Sequence, residues 1–222
     1  MSRRSAGLTA SDFAVFTFFV TGRVVYNPGM PARKENAHIA LLVVDVINDL
    51  EFPGGENVLP WAQRMVGRLR DVMARARQAE VPVIYVNDNF GRWRSNFKEV
   101  IDYCTRPGAR GAEISRALSP GKDDYFILKP KHSGFFATSL VPLLEFLEVD
   151  RLVLCGIATN LCVLYTAHDA QMHEYEITVL SDCCAAESDD DHNWGLSQLQ
   201  RFAGVRVCRS DELDFEEKSS AK

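Results

Sequence analysis

The chain is predicted to fold as an α/β protein, a three-layer, doubly wound sheet of six parallel strands. Three observations lead there. Short apolar runs rich in Val, Ile and Leu alternate with longer segments of helical periodicity. The runs lack the polar alternation of a half-exposed sheet, so each reads as a strand covered on both faces, as in a parallel sheet between two helical layers. The 222 residues, 46% of them hydrophobic, suffice for one large domain of this kind.

Residues 1–37 stand apart as an N-terminal extension. Arg3 and Arg4 followed by the apolar run Phe13 to Val20 mimic a secretory leader, but Asp12 interrupts the basic part and no small-residue cleavage pattern follows. The run is too short to span a bilayer. Three readings stay open: a loose extension ahead of a working start at Met30, a packed arm, or a leader.

The folded domain is expected over 38–209, with a charged, frayed tail over 210–222. IALLVVDV, residues 39–46, is the first strand, interrupted by Asp45 near its carboxyl end. EFPGG makes a turn, and the helix after it carries Ala62, Met65, Val66, Leu69, Val72, Met73 and Ala76 on one stripe. Arg64, Arg68, Arg75 and Arg77 lie mainly off that stripe and read as a solvated face. VPVIYVN, residues 81–87, is the second strand and opens into a loop over 88–95. Short helices are expected over 99–104 and 112–118, parted by Pro107-Gly108. DYFILK, residues 124–129, is the third strand, and a helix capped by Thr138 or Ser139 runs to Leu147. Leu152 to Cys155 forms the fourth strand, which Gly156 breaks. Thr159 and Asn160 are good N-cap types for the next helix, and Cys162 would then fall in its first turn, where free backbone N–H groups favour a thiolate. Residues 175–181 and 205–208 are the last two strands, on either side of a helix over 189–202.

Composition excludes several function classes. A net charge of −5, with the basic residues scattered, argues against nucleic acid or an anionic membrane as partner. Six cysteines with no CxxC and no Cys/His pairs at zinc-finger spacing form neither a disulfide framework nor a structural metal site. They imply a reducing, cytoplasmic setting. Adjacent Cys183 and Cys184 read as core packing, because neighbours in a strand point to opposite faces.

In a Rossmann-like sheet of order 3-2-1-4-5-6, ligands bind beyond the carboxyl ends of the strands, where the order reverses between strands 1 and 4. Asp45 closes strand 1, Lys129 closes strand 3, and strand 4 leads into Cys162. Three reactive side chains thus converge on one edge. The structural readings remain beside this one: Asp45 as a turn cap, Lys129 as a strand-end lysine reaching for solvent, Cys162 as a buried thiol. His132 and His168 are conceivable bases in a Cys-His scheme, with surface or core duty the plainer reading, and Asp182 serves a pocket edge or a turn.

At these residues the chain resembles a known family. VVDVINDLEFPGG around Asp45, LKPKHSGFFATSL around Lys129 and CGIATNLCVLYTAHDA around Cys162 are similar to the motifs of the isochorismatase-like cysteine hydrolases, a group with nicotinamidases, N-carbamoylsarcosine amidohydrolases and isochorismatases. The resemblance implies a catalytic triad of Asp45, Lys129 and Cys162, with Lys131 a rival for the lysine. It also implies a cis peptide at Ile157–Ala158 that aims the N–H groups of Ala158 and Cys162 at an oxyanion. The expected activity is hydrolysis of a small amide, ureide or carbamoyl C–N bond through a thioester. No cofactor is implied, and a homo-oligomer is. Two alternatives stand beside it: hydrolysis of an isochorismate-type vinyl ether, or a non-catalytic oligomerising member. A dinucleotide-binding protein is disfavoured, since no GxGxxG follows strand 1.

Two departures narrow the expectation. Nicotinamidases of the family carry a D-x-H metal pattern after strand 2, where this chain has Asp88-Asn89-Phe90, so no metal is expected. Ile47 stands where the family often has glutamine. On the loop after strand 2, Arg92, Trp93 and Arg94 are candidates to contact substrate, or else form a solvated lid or a subunit contact. Phe135 and Phe136 wall the pocket or only pack.

Overall fold

The computed structural model describes residues 38–93, 96–201 and 205–215. The expectations for residues 1–37, for Arg94 and for the tail beyond Phe215 lie outside the described residues. Among the described residues, six strands form one sheet: β1 (Ile39–Val44), β2 (Val83–Asp88), β3 (Tyr125–Lys129), β4 (Arg151–Ile157), β5 (Glu176–Ala185) and β6 (Val205–Cys208). All pairings are parallel, in the order β3-β2-β1-β4-β5-β6. The helices are α1 (Gly55–Gln78), α2 (Phe97–Cys104), α3 (Ala112–Ala117), α4 (Leu140–Phe146), α5 (Leu164–Met172) and α6 (Asp189–Arg201).

The chain first moves from β1 out to β3, then crosses back to β4 and continues to β6. Right-handed crossovers in opposite directions put the connecting helices on opposite faces of the sheet. Both faces are therefore covered, and this is why all six residues of β1 are buried. The expected stripe of α1 faces inward, with Ala62, Met65, Leu69, Val72, Met73 and Ala76 buried. It packs against β5 and β2.

Three expectations are corrected. First, β5 runs on to Ala185, because its pairing with β4 resumes after a register shift and sets Gly156 beside Cys184 and Ile157 beside Ala185. The polar Ser181-Asp182 pair hid this continuation. Second, the arginines of α1 are more than a solvated face. Arg75 donates to the carbonyls of Ser210 (2.6 Å) and Leu213 (3.0 Å), Arg68 lies 3.5 Å from Asp182, and Arg77 lies 2.6 Å from Asp124. Third, and as a result, the chain just past β6 is not frayed. Residues Ser210–Glu212 make a 3₁₀ turn, and Leu213 and Phe215 are buried. Both cysteines of the adjacent pair are free and buried. Among the described residues, no helix is long and apolar enough to cross a membrane.

Candidate active site

Strand register brings the three converging side chains to one edge. Val44 pairs with Val86 on one side and Gly156 on the other, and Asp88 pairs with Lys129, so the ends of β1, β2, β3 and β4 are level. A Cβ on Gly156 would lie 2.0 Å from the Val44 carbonyl oxygen, and the residue has φ +124°. Only glycine allows the backbones of β1 and β4 to approach so closely here. The next peptide, Ile157–Ala158, is cis, as the resemblance implies.

Asp45 follows β1 with φ 50°, a left-handed conformation that aspartate tolerates better than most residues. Its amide donates to the carbonyl of Val86 (2.9 Å), and its Oδ1 accepts the amide of Asp88 at 2.6 Å. Oδ2 lies 2.7 Å from Lys129 Nζ. Lys129 is completely buried, unusual for a lysine unless it is paired. Its ammonium also donates to the carbonyl of Lys131 (3.2 Å) and to Cys162 Sγ (3.5 Å), and it lies 3.9 Å from Asp88. Lys131 itself is exposed and offers the cluster only its carbonyl. A strand-end lysine reaching for solvent is therefore not what the structure contains.

Cys162 lies in a π-helical turn, Thr159–Val163, ahead of α5. This corrects the expected N-cap at Thr159 or Asn160. The preceding residue is Ala158, extended at φ −96° and ψ 147°, and the Val163 amide reaches back five residues to the Ala158 carbonyl at 3.1 Å. Thr159 is not a cap; its hydroxyl pairs with His192 Nδ1 at 2.8 Å. Likewise Ser139 precedes α4 without a side-chain cap, while the Thr138 hydroxyl accepts the amide of Leu140.

The electrostatics follow from burial and pairing. Burial raises the Asp45 carboxyl above its ordinary range, opposed by the charge of Lys129 and by hydrogen bonds with Cys162 and Lys129. Burial alone would lower the Lys129 ammonium, but the charges of Asp45, Cys162 and Asp88 outweigh it, and its pKa is raised. The Cys162 thiol is pushed well up, chiefly by burial and then by the charge of Asp45. Titrated alone, each acid pays for creating charge in a dry site. Passing a proton from Cys162 to Asp45 leaves the net charge of the cluster unchanged, and Lys129 touches both ends of that transfer. The arrangement thus suits an internal proton shift rather than a standing thiolate.

Other expected contacts lie elsewhere. Arg92 stacks its guanidinium over Tyr103 at 3.7 Å, and Trp93 is 78% exposed. Phe135 is buried and stacks on His173 (5.1 Å) near Tyr175 (5.9 Å), beyond the far end of α5, so of its two roles the structure contains packing. Phe136 is exposed. Among the described residues, no group of three or more His, Cys, Asp or Glu is arranged to hold a metal ion.

Two contributors escape a reading of the sequence, and a third, His132, figures there only as a base beside a plainer surface or core duty. Asp88 holds Asp45 through its amide and faces Lys129 with its carboxylate. Asn87, fully buried, accepts the amide of Ile47 (3.2 Å) and donates to its carbonyl (2.8 Å), fixing the chain just beyond Asp45. His132 brings Nδ1 to 3.9 Å from Cys162 Sγ. The signal for the first two was their place at the end of β2, the strand between Asp45 and Lys129; the structure brings His132, and not His168, to the sulfur.

Known proteins resemble the chain over this same domain. The family model described as Isochorismatase domain matches residues 39–211. An uncharacterized isochorismatase family protein of Bacillus subtilis, YaaI, is 38% identical over 174 residues, covering 78% of this chain and 95% of that protein. A ureidoacrylate amidohydrolase of Caulobacter vibrioides is 30% identical over 208 residues, covering 79% and 92%. The crystal structure of N-carbamoylsarcosine amidase from Thermoplasma acidophilum superposes with a TM-score of 0.61 at 30% identity, covering 79% of this chain and 98% of the other.

Proposed function

This chain belongs to the isochorismatase family of hydrolases, which counts amidohydrolases among its members, and on that footing we propose that it cleaves a small amide, ureide or carbamoyl C–N bond through a thioester on Cys162. The observation that carries the reading is the buried Lys129 ammonium, 2.7 Å from Asp45 and 3.5 Å from Cys162 Sγ, at the reversal point of the sheet.

In this mechanism Asp45 takes the thiol proton as the sulfur attacks the carbonyl carbon. The oxyanion is held by the N–H groups of Ala158 and Cys162. Lys129 keeps the dyad compensated as negative charge moves between oxygen and sulfur. Asp45 then protonates the departing nitrogen, and the same carboxylate activates the water that hydrolyses the thioester. Cys162 favours this amide chemistry over vinyl ether hydrolysis, which needs no nucleophilic thiol. A small-molecule substrate and a cytoplasmic homo-oligomer belong to the same reading.

The test is ammonia release from a panel of primary amides, ureides and carbamoyl compounds, with acid quenching during turnover and mass analysis of the Cys162 peptide. An acyl adduct on Cys162 is the expected result. Turnover with no adduct under conditions that slow deacylation would sink the thioester. A pH dependence follows as well. Asp45 must be ionised to accept the proton, and burial raises its pKa above 3.8. Activity is therefore lost as pH falls through that raised value, so the acid limb of kcat/KM should lie above the ordinary aspartate range. A limb at or below about 4 would remove Asp45 as the base.

A further inference from the structure

We infer that His132 is a second cationic partner of the Cys162 sulfur, acting from the solvent side where Lys129 acts from the buried side; this rests on Cys162 being the nucleophile proposed above. His132 Nδ1 lies 3.9 Å from Sγ. The ring also tilts against Tyr165, with centroids 5.7 Å apart. Tyr165 lies three residues after Cys162, in the first turn of α5. Both of these neighbours of the imidazole come from the segment that carries the nucleophile.

The loop that holds His132 is fixed on both sides of it. The Lys131 carbonyl accepts the Lys129 ammonium at 3.2 Å. Gly134 donates its amide to the Thr166 hydroxyl at 3.0 Å, and buried Ser133 accepts the amide of Phe135 at 3.1 Å. An exposed histidine on so constrained a loop is held near the sulfur rather than sampling solvent freely.

The contribution depends on charge. A neutral imidazole offers the sulfur one weak hydrogen bond. An imidazolium donates Nδ1–H to the thiolate formed when Asp45 has taken the thiol proton, and an opposite charge within about 4–6 Å moves such an equilibrium by one to three powers of ten. Among the described residues, the charged and titratable groups gathered at this sulfur and loop are Lys129 and Asp45 at the sulfur, Asp88 beyond Lys129, Lys131 next to His132 in sequence, and Tyr165 on the helix. An imidazole carries this charge only while protonated, so support of this kind weakens as pH rises. Lys129, buried and paired with Asp45, gives support that does not change in step with it.

The experiment is alkylation of Cys162 by iodoacetamide in the full chain, followed by mass spectrometry between about pH 5.5 and 8.5, in the native protein, His132→Gln and His132→Phe. His132 is exposed, so the fold tolerates both. His132→Gln should slow alkylation about tenfold near pH 6 and less than about twofold near pH 8.5, with His132→Phe at least as slow. In hydrolysis, kcat should fall in the same pH-dependent way with KM little changed. A ratio of rates that does not vary with pH, as a merely structural histidine would give, overturns the inference. The alkylation readout needs no substrate, so its failure is distinct from that of the hydrolase reading, which shows as turnover without a Cys162 adduct or as full turnover by Cys162→Ala.

Discussion

Cys162→Ala is expected to lower kcat/KM by at least about 10⁴-fold, the usual consequence of deleting a nucleophile. The fold should survive the change. The Asp45–Lys129 ion pair at 2.7 Å does not depend on the sulfur, and neither do the backbone bonds that hold Asp45 to Val86 and Asp88. The lost side chain is one atom, so the cost in stability is on the order of 1 kcal/mol. The informative control is another buried cysteine. Cys155, fully buried in β4, hydrogen-bonds through sulfur to the Leu42 carbonyl at 3.4 Å and has no place at the strand ends. Cys155→Ala should cost comparable or greater stability and leave turnover close to native. Steady-state ammonia release together with thermal melts of both variants separates the two effects. Comparable activity loss in the two would mean that a damaged core, not a missing nucleophile, explains Cys162→Ala.

That contrast marks how far the sequence could be read. Strand positions were legible because parallel strands between two helical layers must be apolar throughout, and a charge near the end of such a run, at Asp45 or Lys129, has no packing reason to be there. The order 3-2-1-4-5-6 enters as the common one for such a sheet, and the structure has that order, with its reversal point between β1 and β4. What was not legible depends on local backbone geometry. Thr159 and Asn160 have N-cap chemistry, yet the chain enters a π-helical turn at Ala158, and the Thr159 hydroxyl turns to His192, 33 residues away. The end of β5 was hidden for a similar reason: Asp182 is polar, but it is buried against the Ser210 amide (2.8 Å) and hydroxyl (2.9 Å), partners contributed by the segment after β6. Arg75 escaped because its partners are carbonyls, which no side-chain pattern announces. In each case the deciding contact joins residues far apart in sequence through groups that periodicity does not report.

Gly156→Ala is expected to destabilise the protein by more than about 4 kcal/mol, into the range reserved for severe steric and strain mechanisms. Two costs add. The residue sits at φ +124°, where side chains are strained whatever space is available. The new Cβ would also fall 2.0 Å from the Val44 carbonyl oxygen and 2.8 Å from its carbonyl carbon and nitrogen. These are backbone atoms of the central strand, so no rotamer change relieves the clash, and β1 and β4 must separate at their carboxyl ends. Gly67 supplies the opposite case. It lies exposed in α1, with nothing within 4 Å of an added Cβ, so Gly67→Ala should stabilise by about 0.5–1 kcal/mol through helix propensity. Urea unfolding followed by circular dichroism reads both, with midpoints moving in opposite directions. A native-like midpoint for Gly156→Ala would show that the strands part easily there. Any folded fraction of that variant should still lose activity, because Asp45 follows the Val44 partner directly and Cys162 lies six residues past Gly156, so separating these two backbones separates the base from the nucleophile.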